Sequence, residues 1–152
     1  MADQLPVHEE ETAEGLVASW IPARLFEDFA WQTSLPDETL DERRKILAII
    51  EGEEIKGQTI IGSTLYVSHY VCHPINLRIK NTEEFATGVR TILPQPEGPP
   101  VSFTALGILQ SLKRIAHTER RTLPFDPPMK VLLKQVGTSG ARRTYKLIPV
   151  SE

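Results

Sequence analysis

A single cysteine, Cys72, stands in 152 residues. No intramolecular disulfide framework is available to such a chain, and it suits a reducing compartment. No apolar run approaches the roughly 20 residues that a membrane-spanning helix needs. The opening stretch MADQLPVHEEE is acidic and lacks the basic-then-apolar order of a secretory signal. The expectation from these absences is a cytoplasmic protein (the host cell interior if the chain is viral) without a membrane partner. Catalytic punctuation is missing as well. There is no G-x-S-x-G elbow, no P-loop, no dinucleotide fingerprint and no H-E-x-x-H. The Gly137–Gly140 loop is too short for a phosphate cradle and lacks the P-loop lysine and helix. With no residue to anchor a reaction, the chain reads as a non-enzyme that uses no cofactor and no metal.

The nearest thing to a metal motif is His69-x-x-Cys72-His73. Two histidines and a thiol in five residues have the chemistry of zinc ligands. On an extended strand, however, His69 and His73 share one face and Cys72 points to the other. No second Cys/His pair accompanies them, so a small buried cysteine and ordinary histidines are expected. The carboxylates of residues 37–42 crowd a helix start, where they compensate the dipole. A hydrolytic role for Glu53, Glu54 or His69 is the weakest reading for the same reason.

What the chain does have is a charge division. Residues 1–54 carry fourteen acidic and four basic groups, a net of −10, and residues 55–152 carry six acidic and thirteen basic, a net of +7. A basic body behind an acidic arm suits a polyanion partner for the body. Residues 1–15 are polar and acidic, with little to bury, and read as a disordered tail. Residues 16–52 read as a helical arm. It holds a first amphipathic stretch with Trp20, Phe26, Phe29 and Trp31, then a helix from Thr39 to Ile50 with Leu40, Leu47 and Ile50 near one face. The aromatics either dock on the body or present a docking element to a partner protein or another copy of the chain.

From Ile55 the texture becomes β: Ile55–Ile61 and Thr64–Cys72, as two strands or as one long strand bent at Gly62, then Ile75–Ile79 and Ala86–Leu93. Ser102 reads as the cap of a helix from Phe103 to about His117, with Ile108, Leu112, Ile115 and Ala116 as its apolar stripe. A proline corner, Pro124-Phe-Asp-Pro-Pro128, precedes two strands, Lys130–Val136 and Arg143–Val150. In these, Val131 and Leu133 oppose Leu132 and Lys134, and Tyr145 and Leu147 oppose Lys146 and Ile148.

Basic and aromatic residues interleave along these strands: Arg78, Lys80, Arg90, Lys130, Lys134, Arg142, Arg143 and Lys146, with Tyr66, Tyr70 and Tyr145 among them. Cations that follow phosphates and rings that stack bases are the two ingredients of a single-strand groove. The element order places a helix between the third and fourth strands of five. The fold expected is therefore mostly β with helices (α+β), an OB-like five-stranded barrel over residues 53–152 preceded by the helical arm.

The segments Val101-Ser-Phe-Thr-Ala-Leu-Gly-Ile-Leu, Leu123-Pro-Phe and the closing pair Lys130–Val136 / Arg142-Arg-Thr-Tyr-Lys-Leu carry a resemblance. Across about residues 55–150 the chain resembles small phage- or plasmid-type single-stranded DNA-binding proteins of OB-like fold. The resemblance implies sequence-tolerant binding of single-stranded DNA, or of RNA, in replication or recombination. It also implies replication or recombination proteins as partners and allows a homo-oligomer. The chain departs from the common bacterial plan in carrying its acidic segment at the N-terminal side, which puts recruitment of partners by the C-terminus in doubt. The alternative is a structural or interaction module that docks through the aromatic arm.

Overall fold

The computed structural model describes residues 10–13, 16–19, 31–79, 85–104, 106–136 and 144–151, with 10–13, 16–19, 76–79, 85–87 and 106 described by their backbone path alone. Among them, in chain order, are β1 (Glu10–Ala13), β2 (Leu16–Ser19), β3 (Gln32–Thr33), α1 (Leu40–Glu51), β4 (Ile55–Lys56), a 3-10 turn (Gly57–Thr59) and β5 (Thr64–Val67). There follow β6 (Val71–Ile79), β7 (Phe85–Leu93), β8 (Val101–Phe103), α2 (Leu106–Glu119), β9 (Met129–Val136) and β10 (Thr144–Pro149).

Two sheets result. The larger runs β1-β2-β6-β7-β8-β4, with β3 also on β6, and the smaller runs β10-β9-β5. Most pairings are antiparallel; β4 joins β8 in parallel, with Ile55 opposite Val101. Residues 10–13 and 16–19, expected in a tail and a helical arm, are paired strands, and Leu16–Ser19 lies along Ile79–Asn76 of β6.

Helix α1 begins where its capping chemistry dictates. The Thr39 hydroxyl accepts from the Glu42 amide (3.1 Å), and the Glu42 carboxylate accepts from the Thr39 amide (2.8 Å). This reciprocal box satisfies two donors that the helix start leaves orphaned. The Thr39 amide is also the main reason that the Glu42 carboxyl titrates below its ordinary range. The buried stripe of α1 is Ile46 and Ile50, with Ile49 half-buried beside them, whereas Leu40 and Leu47 face solvent. The i, i+3, i+4 spacing of the three isoleucines sets that face.

The core forms two layers around the β6–β7–β8 ladder. On one face, Val71 and Ile92 meet Ile46 and Ile50 of α1, with Trp31 and Leu35 at the margin. On the other, Leu93, Val101 and Phe103 meet the inner residues of the small sheet and Ile108, Leu112 and Ile115 of α2. Strands buried on both sides make even their polar residues interior: Cys72, His73, Arg90, Thr91 and Ser102 are all buried. Ser102, expected as a helix cap, lies inside β8 instead, and α2 starts four residues later.

The expected five-stranded barrel is not formed; the two sheets stay open. The reason lies at the edges of the small sheet, where closure would need further strand pairing. The edge of β5 is taken by a side chain: the Gln95 amide accepts from the Tyr66 amide (2.9 Å) and donates to the Tyr66 carbonyl (2.8 Å), in the manner of a neighbouring strand. The edge of β10 is taken by α2, whose Ser111 hydroxyl accepts from the Leu147 amide (3.2 Å). Gly107 permits that approach, since a Cβ there would stand 2.2 Å from Thr144 Oγ1. Both edges are thereby protected from further pairing.

Phe103 fixes how β8 sits over the 3-10 turn. A Cβ on Gly57 would come within 2.0 Å of the Phe103 ring. Gly57→Ala therefore overpacks a core position and is expected to cost about 1–3 kcal/mol. A fall in the urea midpoint at unchanged slope checks it.

Candidate nucleic-acid interface

Strand alternation places the candidate surface. In β9, Val131 and Leu133 point into the core, and in β10 Tyr145 and Leu147 do. Lys130, Leu132, Lys134 and Val136 therefore lie on the outer face, beside Lys146 and Ile148 of β10 and Tyr66 of β5. The register brings specific pairs together: Tyr66 stands opposite Lys130, and Lys134 stands directly opposite Lys146. Lys134 and Lys146 are both exposed, and the three strands contain three lysines and no carboxylate. Val136 and Ile148 add exposed apolar surface, at 38% and 39% exposure.

This face gathers four of the eleven residues expected to touch nucleic acid: Tyr66, Lys130, Lys134 and Lys146. Three others have side chains that lie elsewhere. Arg90 points inward under α1, where its guanidinium donates to the Ile50 carbonyl (2.9 Å) and to His73 Nε2 (3.1 Å) and pairs with the Glu54 carboxylate. It is an internal clamp rather than a phosphate contact. Its strand alternates correctly, but α1 covers the face on which it sits. Tyr145 is buried, its ring 5.9 Å from that of Phe103 at 55°, so it packs rather than stacks on a ligand. Tyr70 packs at the margin of the core, its amide donating to the Ser34 hydroxyl (3.0 Å), and burial raises its phenol pKa. Of the remaining four, Arg78 is placed by backbone register alone, opposite Phe85 of β7 and Val17 of β2. Lys80, Arg142 and Arg143 lie outside the described residues, as do Trp20, Phe26 and Phe29 of the aromatic arm. Trp31 packs against the α1 cluster.

The His69, Cys72 and His73 side chains have separate partners: the Ser34 hydroxyl (3.1 Å), the Thr91 hydroxyl (3.5 Å) and Arg90. Among the described residues, no group of three His, Cys, Asp or Glu side chains could hold a metal ion. Burial raises the Cys72 thiol pKa, which keeps it a thiol rather than a thiolate.

The surface that sequence reasoning missed adjoins β10. A groove of about 220 Å³ runs between the last turns of α2 and this strand, with Ser111, Arg114, Ile115 and Thr118 on the helix side and Lys146 and Ile148 on the strand side. The spacing of the helical residues, i, i+3, i+4 and i+7, was legible as one stripe. Its facing strand was not. No described helix is long and apolar enough to cross a membrane. Comparison of the chain with protein-family models, characterised proteins and solved structures finds no match.

Proposed function

We propose that the chain binds single-stranded nucleic acid, single-stranded DNA foremost, without sequence preference and without catalysis, in replication or recombination. The outer face of β5–β9–β10 is the binding surface. One observation carries this reading: Lys134 and Lys146 are held directly opposite each other on an open face whose strands hold no carboxylate. Like charges opposed across two strands destabilise a sheet. A phosphate between them turns that repulsion into attraction and releases condensed counterions. Tyr66, opposite Lys130 on the same face, supplies a ring for a base, and the exposed Val136 and Ile148 supply apolar surface for its neighbours. Stacking on an aromatic is tolerant of sequence because every base has a π-face.

Fluorescence anisotropy with labelled oligo-dT over a salt series tests the reading. Wild-type affinity is expected to fall linearly on a logarithmic scale with salt. In the variant Lys134→Glu/Lys146→Glu the slope flattens by about 0.7 for each phosphate that is no longer neutralised. Tyr66→Ala costs about 1–3 kcal/mol of affinity. Absence of binding at low salt, or affinity indifferent to both changes, removes the proposal.

A further inference from the structure

We infer that the groove between α2 and β10 is a nucleotide subsite that continues the strand's path off the sheet, with Arg114 as a phosphate ligand. The inference rests on the single-strand reading above and extends it to a second element. Lys146 and Ile148 belong to both surfaces: they project from the outer sheet face and also form the strand-side wall of the groove. A strand that follows Lys134 to Lys146 meets the groove without leaving the protein.

The lining suits a nucleotide. Ile115 and Ile148 offer apolar walls to a base, Thr118 offers a hydroxyl, and Arg114 and Lys146 stand at the sides as cations. Arg114 presents a planar fork that matches phosphate oxygens, which a lysine does not. Among the described residues, Glu119 is the one carboxylate that lines the groove, against the two cations Arg114 and Lys146. Removing Glu119 and removing Arg114 act in opposite directions on an anion.

The full chain is titrated with labelled oligo-dT of about 4 to about 16 nucleotides over a salt series, as wild type, Arg114→Ala, Glu119→Gln and Lys134→Glu. Circular dichroism checks the fold of each. Arg114→Ala is expected to weaken the longer oligonucleotides about tenfold and to flatten their salt slope by about 0.7. It leaves the shortest, which sit on the sheet face alone, nearly unchanged. Glu119→Gln is expected to tighten the longer ones and to leave the slope as it was. If Lys134→Glu weakens binding while Arg114→Ala and Glu119→Gln do nothing, the groove is off the path and this inference fails, yet the sheet-face reading stands. If Arg114→Ala and Glu119→Gln both weaken binding, the two residues act as a structural pair and the inference fails. If the wild type does not bind oligo-dT at low salt, both readings fail together.

Discussion

Arg90→Met is expected to destabilise the protein by about 3–5 kcal/mol, the loss that follows when one partner of a buried ion pair is removed. Three groups depend on this guanidinium. The Glu54 carboxylate, with its side chain 15% exposed, pairs with it. The Ile50 carbonyl, in the last turn of α1, accepts from it at 2.9 Å. That carbonyl is one of the four that a helix end leaves without an intrahelical donor, and α1 has no basic residue in its last turn to serve it. His73 Nε2 accepts a further bond at 3.1 Å. Methionine keeps much of the volume and none of the donors, so the variant strands a buried carboxylate, a carbonyl and an imidazole at once. Urea denaturation of wild type and Arg90→Met measures the loss. Adding Glu54→Gln to the methionine variant recovers part of it, because the stranded charge is gone, whereas Glu54→Gln alone destabilises. A midpoint shift equivalent to less than about 1 kcal/mol contradicts the clamp. Oligo-dT affinity is expected to be the same in Arg90→Met as in wild type under conditions where both are folded, since the residue lies under α1 and away from the open face.

The position of Arg90 shows where sequence reasoning stops. The alternation of the last two strands was readable, with Tyr145 and Leu147 set against Lys146 and Ile148, but the buried side was not: Tyr145, expected to stack on a base, turns inward with Val131, Leu133 and Leu147, while Lys134 and Lys146 turn outward. The apolar stripe of α2 through Ile108, Leu112 and Ile115 was readable for the same reason, a local period. In β7 the period is equally clear, but it says only that Arg90 and Ile92 share a face. That this face is covered depends on α1, which lies forty residues away in sequence. An arginine on a half-buried strand usually marks the solvent side; here its partners Glu54 and His73 make burial tolerable. The open two-sheet architecture was beyond local pattern too. It turns on Gln95 standing in as a strand neighbour for Tyr66 and on Ser111 meeting the backbone of Leu147. The candidate site divides along the same line. The residue types were legible, but the opposition of Lys134 and Lys146 is a register, and a register is set by pairing between strands.

Acid is expected to destabilise the protein through His73, by about 3 kcal/mol between pH 6.5 and pH 4. His73 is 1% exposed, and burial lowers its pKa from 6.5 to about 4. The hydrogen bonds require the same protonation state. Arg90 can only donate, so Nε2 must keep its lone pair, and the proton resides on Nδ1, 3.3 Å from the Pro74 carbonyl. The folded state therefore resists a proton that the unfolded chain accepts below about pH 6.5. Within this window the unfolded state binds more protons, so stability rises with pH. The contribution is complete above pH 6.5 and is lost progressively as the pH falls to 4. A protonated His73 would also face the Arg90 guanidinium as a like charge. Acid acts on other groups of the protein as well, so the test is a difference. Urea midpoints of wild type and His73→Gln are followed from pH 7 to pH 4. Glutamine keeps an oxygen acceptor for Arg90 and does not titrate, so its carboxylate background matches that of wild type. The stability gap between the two proteins is expected to change in favour of the variant as the pH drops below 6.5. Curves that stay parallel over the whole range would mean that His73 accepts its proton in the folded state as readily as in the unfolded one.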